Sequence, residues 1–343
     1  MTKVNTKIDE HRLRIAIIGA GAIADTGHLP GAKLAAEVEV TVIVDKDEAR
    51  ARDLATKYDI SEVRTDLEGL QELADVAILC LPHHLHHPIS LELIEKGMHL
   101  LVEKPMALNV AECDAMIDAA EKKGVVLSVG MMRRYFRCNM ALKEILTSGI
   151  LGQLKSFEVQ DGGVYAWPSA SPFILSRAHS GGGVLMGNGS HVMESVLWWF
   201  GNPSGIVCQT NSAVGMETDA EVDFEFAEGF SGRVELSRTR QLKNRVVVEG
   251  ERGKVEIPLY GDDICIWLDG MTHQIIGNAK CPGDDKEQTL PSVLADQLRD
   301  LVRLVRGEHS RIVTGREARV SIACIESCYN VATPSDEPWA STF

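Results

Sequence analysis

Between residues 12 and 133 short apolar runs alternate with mixed, helix-like stretches, and this alternation constrains the chain more than any other feature. Leu13 to Ile18, Val38 to Val44, Val76 to Leu81, His99 to Val102 and Val125 to Val129 read as strands buried on both faces. Helices are expected from Glu48 to Tyr58, from Pro88 to Lys96 with Gly97 as the stop, and from an Asn109 cap to Lys123 with Gly124 as the stop. Strands spaced by helices of this size imply βαβ units and a doubly wound parallel sheet.

Beyond residue 133 the pattern changes. Gly152 to Gln160, the alternating Val222–Phe226 segment, Val234 to Leu236, Val246 to Glu249 and Val255 to Ile257 read as half-buried strands, with Gly250 and Gly253 bracketing a tight turn. Helices are expected at His191 to Phe200, Ser292 to Arg306 and Arg316 to Val331, and the tail after Pro334 is expected to run along the surface. The fold class is therefore α/β followed by α+β. Residues 1–133 form a nucleotide-binding domain on which the C-terminal helix can return to pack. Residues 134–343 form an α+β substrate domain with a large, mostly antiparallel, open-faced sheet. Exposing that face in a monomer would be costly, which predicts a homodimer or homotetramer built through the sheet.

Composition removes several functions. The net charge is −14, from 35 basic and 49 acidic residues, and no Lys/Arg-rich run occurs, so neither a nucleic acid nor an anionic membrane is expected as a partner. Met1 to His11 lacks the apolar core of a signal peptide, and no apolar stretch reaches the ~18 residues of a membrane span. Eight cysteines, none in a CxxC pair, read as reduced thiols of a cytoplasmic protein, with Cys324 and Cys328 in the core. The histidines at 83, 84, 86 and 87 have no nearby Cys or carboxylate to complete a ligand set, so no metal is expected.

Gly19-Ala20-Gly21-Ala22-Ile23-Ala24 follows an apolar strand and opens a helix, the context a dinucleotide-binding turn requires. Gly19 permits the turn, Gly21 lets the backbone approach a pyrophosphate, and the amides around Ala22 and Ile23 face it at a helix N-terminus. Asp45 ends the second strand, where a carboxylate accepts ribose hydroxyls and repels a 2′-phosphate. NAD is favoured over NADP, a preference that the adjacent Lys46 weakens slightly.

Glu103-Lys104-Pro105, together with the glycine turn, resembles the Gfo/Idh/MocA family, named for glucose–fructose oxidoreductase and inositol dehydrogenase. His28-Leu29-Pro30, the loop Leu81-Pro82-His83-His84-Leu85-His86, the segment Gly130-Met131-Met132-Arg133-Arg134-Tyr135, and Gly181-Gly182-Gly183 followed by Gly189-Ser190-His191 agree in order and spacing. The resemblance implies hydride transfer between nicotinamide C4 and a ring carbinol or ketone of a sugar, cyclitol or glycoside. It implies that Lys104 and His191 handle the proton, and that Glu103 orients Lys104 or touches the nicotinamide ribose. Leu81, Pro82, His83, His86 and Met132 would lie near the cofactor. A lysine desolvated beside cofactor and apolar walls has a lowered pKa, as a base near neutral pH needs.

One departure stands out. The family usually carries Asp four residues before the histidine, and here that position is Gly187, beside Asn188. Asp161, Tyr165 and Glu194 are candidate replacements. Substrate-contact candidates are Arg134, Tyr135, Tyr165, Trp167, Arg177, His179 and Asn188, since aromatics stack on sugar faces and Arg or Asn bind hydroxyls and carboxylates. Trp198-Trp199-Phe200 reads as core or oligomer interface. Two other functions fit the same residues: a redox-neutral enzyme that cleaves glycosides with retained NAD, and a silent binding homologue.

Overall fold

The computed structural model describes residues 12–168, 170–212, 216–280 and 286–335. The expectations for Met1 to His11, Cys281 and the tail beyond Ser335 lie outside the described residues. The chain divides into two units. One comprises the described residues up to Met132 with Pro168–Phe173 and Thr289–Ile322, and the other takes the rest.

In the first unit a helix follows each of the first five strands of the parallel run. The strands are β1 (Leu13–Ile18), β2 (Val38–Val44), β3 (Glu62–Arg64), β4 (Val76–Leu79), β5 (His99–Val102) and β6 (Leu127–Val129). The helices are α1 (Leu29–Leu34), α2 (Glu48–Tyr58), the short α3 (Leu70–Leu73), α4 (His86–Glu95) and α5 (Val110–Lys123). The strand order is β6-β5-β4-β1-β2-β3, all parallel, and β15 (Val313–Thr314) adds an antiparallel edge next to β6. Side chains set the boundaries. Asn109 accepts from the Glu112 amide at 2.9 Å to start α5, and Gly124 closes it in the left-handed region. Asp47 caps α2 in the same way. The later helix α9 (Leu290–Val305) belongs to this unit, and its Leu298, Leu301 and Val302 join Ile15, Ile17, Ile43 and Ile78 in one buried core. Each such side chain contributes about 1.5–3 kcal/mol by burial. The first half of α10 (Gly315–Val331) closes the unit.

The second unit holds α6 (Arg137–Ser148), β7 (Leu154–Gly162), the short α7 (Arg177–Ser180), α8 (Gly189–Phe200) and β8 (Gly205–Thr210). Six strands follow: β9 (Asp219–Glu225), β10 (Ser231–Ser237), β11 (Arg245–Gly250), β12 (Gly253–Pro258), β13 (Asp263–Leu268) and β14 (Ile275–Asn278). β16 (Thr333–Pro334) comes last. Nine strands form one sheet in the order β14-β13-β12-β11-β7-β10-β9-β8-β16, antiparallel except for the β7–β10 and β8–β16 pairs. Gly250 pairs with Gly253 across the tight turn. One face is apolar. Phe157 of β7 stacks on Phe200 of α8 at 4.2 Å, with Phe224, Phe226 and Phe230 around them, and Trp199 is buried with its indole N–H on the Asn139 carbonyl. Trp199 thus packs in the core, and Trp198 and Phe200 are half-buried beside it.

The opposite face is charged. Arg233 pairs with Asp223 at 2.7 Å and Arg245 with Glu256 at 3.1 Å, across adjacent strands. A face lined by ion pairs costs less to leave open than an apolar one, so burial alone does not require a partner copy here. Cys208, Cys324 and Cys328 lie together in this unit as buried free thiols, and contacts with Cys208 and Cys324, then burial, push the Cys328 thiol up. Among the described residues no helix is long and apolar enough to cross a membrane.

Candidate active site

In the first unit β4 lies between β1 and β5, so three carboxyl ends form one edge, and the order turns at β1 and β4. Ligands of open α/β sheets bind in the crevice at that place. Gly19 follows β1 with φ +100°, and its amide donates to the Val44 carbonyl at 2.7 Å. A Cβ there would overlap the Cys80 carbonyl, so only glycine fits. Gly21 differs. The nearest protein atom to a Cβ built there is the Cys80 oxygen at 4.0 Å, so packing alone would admit a side chain. The space it leaves open is what a close-lying pyrophosphate needs. Ala22 and Ile23 begin the helix, whose first-turn amides have no intrahelical acceptor, and a π-turn (Ala24–His28) leads into α1.

Asp45 is braced against this turn. Its Oδ2 accepts from the Ala20 amide at 2.7 Å and its Oδ1 from the Asp47 amide at 2.9 Å. A carboxylate has about four acceptor positions, so two remain for ribose hydroxyls. Lys46 is exposed, and Arg50 approaches Asp45 at 3.8 Å. These residues fit NAD.

Leu81 and Pro82 are half-buried after β4, and His83 is buried with its ring edge-on to Phe173 at 4.9 Å. His86 is fully buried. Its Nδ1 lies 2.7 Å from the Pro105 carbonyl and its Nε2 2.9 Å from the Leu81 carbonyl. Burial lowers its pKa against the pull of both carbonyls. A ring held this way ties the loop after β4 to the Lys104–Pro105 turn, a positioning role. The Lys104–Pro105 bond is cis.

Glu103 is held on both oxygens. Nε2 of fully buried His28 donates to Oε1 at 2.7 Å, and the Lys104 amide donates to Oε2 at 3.2 Å. Gly130 makes room for it, because a Cβ there would be 2.9 Å from Oε1. Burial pushes the Glu103 carboxyl up, but attraction from His28 and Lys104 outweighs burial and holds it below the usual carboxylate range. Glu103 thus braces the main chain at Lys104. His28 was missing from the expected site residues, although the His-Leu-Pro triplet that places it at the helix start was visible. Lys104 is half-buried at the carboxyl end of β5, and Met132 is half-buried at the start of a short 3₁₀ turn.

In the second unit His191 is 6% exposed, in the first turn of α8, and Asn188 is half-buried at its N-cap. Two candidate replacements for the missing carboxylate are engaged elsewhere. Asp161 accepts from buried Arg133 at 2.7 Å, and Glu194 accepts from Arg134 at 2.5 Å. Arg134 also lies over Trp198 at 5.4 Å. Arg134 is thus paired within its own unit, and Tyr135 is 2% exposed. Tyr165 carries the Arg238 guanidinium over its ring at 5.3 Å, and Arg177 lies over Tyr329 at 5.8 Å. Trp167, Arg177 and His179 are exposed.

Comparison with known proteins gives the same picture. Residues 13–131 match the oxidoreductase family with the NAD-binding Rossmann fold, and residues 139–256 match the GFO/IDH/MocA C-terminal domain. D-Glucoside 3-dehydrogenase of Escherichia coli (strain K12) is 30% identical over 197 residues, covering 56% of this chain; the chain thus spans about half, 55%, of that relative. Trans-1,2-dihydrobenzene-1,2-diol dehydrogenase of Mus musculus is 28% identical over 257 residues, 71% of this chain and 74% of the relative. A levoglucosan dehydrogenase in complex with NADH and levoglucosan shares the fold, with TM-score 0.83 at 18% identity over 94% of this chain and 97% of that one. With its N-terminal Rossmann domain and its C-terminal domain both matched, the chain belongs to the Gfo/Idh/MocA family of oxidoreductases.

Proposed function

We propose that the chain is an NAD-dependent oxidoreductase of a ring carbinol or ketone in a sugar, cyclitol or glycoside. The observation that carries this reading is the Glu103–Lys104–Pro105 turn, fixed at the carboxyl end of β5 on the same sheet edge as the Gly19–Ala24 turn. Bound NAD supplies the hydride acceptor or donor. The protein's own residues manage everything else. Gly21 and the first-turn amides hold the pyrophosphate, and Asp45 holds the ribose. His28 and Glu103 fix the backbone at Lys104, from which the side chain reaches the substrate. Lys104 accepts the hydroxyl proton when the alcohol is oxidised and returns it when a ketone is reduced. In the second unit His191 is the second acid or base of the reading. Relatives whose names include glucoside and dihydrodiol dehydrogenases support a polyol-like substrate. A cytoplasmic location and a homodimer or homotetramer through the nine-stranded sheet complete the reading.

The test is NADH absorbance with NAD or NADP across a panel of sugars, cyclitols and glycosides, with products checked by mass spectrometry. NADH formation with one polyol class is expected, and Lys104→Ala should reduce the rate at least about 100-fold, the lower end for a lost general base. A cleaved glycoside without net NADH would replace this reading with redox-neutral cleavage.

A further inference from the structure

Gly187 is buried four residues ahead of His191, and a Cβ built on it would overlap Nη2 of Arg238. The missing side chain is thus the room the guanidinium occupies. Arg238 follows β10, and its neighbour Ser237 ends that strand.

The chain supplies carboxylates to its other sequestered arginines in this unit. Arg133 has Asp161 at 2.7 Å, Arg134 has Glu194 at 2.5 Å and Arg240 has Asp219 at 3.0 Å. Arg238 is different. It has no ion pair among the described residues, its Nε is buried without a hydrogen-bond partner, and the Tyr165 ring is its packing surface. Glu217 is the nearby carboxyl: its Oε1 accepts from the Leu185 amide and the Tyr329 hydroxyl, both at 2.9 Å, and its Oε2 is buried without a hydrogen-bond partner, so Glu217 attracts Arg238 across the interior without pairing with it. Burial also pushes the Glu217 carboxyl up, toward its neutral form. Burial pushes the Arg238 guanidinium down, as expected for a cation short of a counter-charge.

A half-buried guanidinium without its own carboxylate is a receptor for one from outside. Its planar fork matches a carboxylate in two parallel hydrogen bonds. The twelve-residue α8, which begins beside Gly187, points its positive end to the same region. We propose that Arg238, in the space left by Gly187, recognises a carboxylate on the substrate, so that sugar acids and uronides are preferred over neutral sugars. This rests on the reading of His191 as part of the substrate site.

The test is calorimetric binding of methyl β-D-glucuronide and methyl β-D-glucoside to the NAD-loaded protein. The uronide should bind tighter by about tenfold or more, the size of a charge-assisted hydrogen-bond pair. Arg238→Met should bring the ratio to near one. Gly187→Asp, which keeps the arginine and gives it an internal carboxylate, should do the same. Because only the end of a flexible side chain must move, this second variant also guards against misfolding as the cause. Equal affinities, or no binding of either glycoside, overturn the proposal. So does inorganic phosphate binding as tightly as the uronide, which would assign Arg238 to a free anion. Uronide preference without NADH formation would leave this inference standing and sink the dehydrogenase reading. NADH formation without preference would do the reverse.

Discussion

Glu103 governs the reactive turn from behind it. Its carboxyl is depressed in the folded chain relative to the usual ~4.3 of an unfolded glutamate. A group depressed on folding adds stability that is complete above the unfolded pKa and is lost as pH falls through the folded one. Glu103→Gln should therefore lower the melting temperature at pH 7, and the gap to the wild type should close below about pH 4. Melting curves from pH 7 to 3 decide it; a gap that stays constant means the charge of Glu103 is not what His28 stabilises. This pairing shows where sequence reading stopped. Glu103, Lys104, Gly19, Gly21 and Asp45 stand in short local motifs and could be identified from them. The His28–Glu103 bond joins residues 75 apart, and only burial makes it matter. Gly187 was likewise visible as a departure, but the side chain that uses its space is not near it in sequence.

The elements that sequence located best are those whose periodicity and caps agree. β1, β2, β5, α2 and α5 match their expected bounds because their runs stop at Gly19, Asp45, Glu103, Asp59 and Gly124. α6 went unseen for a physical reason: its buried face includes Arg137 and Asn139, so polar residues interrupt the apolar stripe that marks a helix. β8 was missed because its alternation is broken by outward-facing Val207, 58% exposed. β15 and β16 are two residues each and exist only through their partners. At this scale Asp161 sets how β7 meets the turn before α6. It is the carboxylate that compensates Arg133, and both side chains are 4% exposed. Asp161→Ala leaves that guanidinium buried and uncompensated, which should destabilise the protein by about 3–5 kcal/mol. Urea unfolding measures this, and a loss under 1 kcal/mol would mean that Tyr260, which also accepts from Arg133 at 2.7 Å, suffices.

At the scale of the whole molecule, the charged face of the nine-stranded sheet is built from cross-strand pairs. If copies associate through the nine-stranded sheet, Arg233, Arg245 and their carboxylates would form a polar interface. Such an interface weakens with ionic strength, since the screening length falls from about 10 Å at 0.1 M to about 3 Å at 1 M. Light scattering should show the assembled mass falling as salt rises; a mass independent of salt would place the contact on another surface. The first unit also has a history in time. Its core is finished by Leu298, Leu301 and Val302, which lie far along the chain from β1. That side-chain set is made well after β1 and β2, so during synthesis these strands lack the cover of α9 until it emerges, and the apolar face it will seal is open to aggregation in the interval.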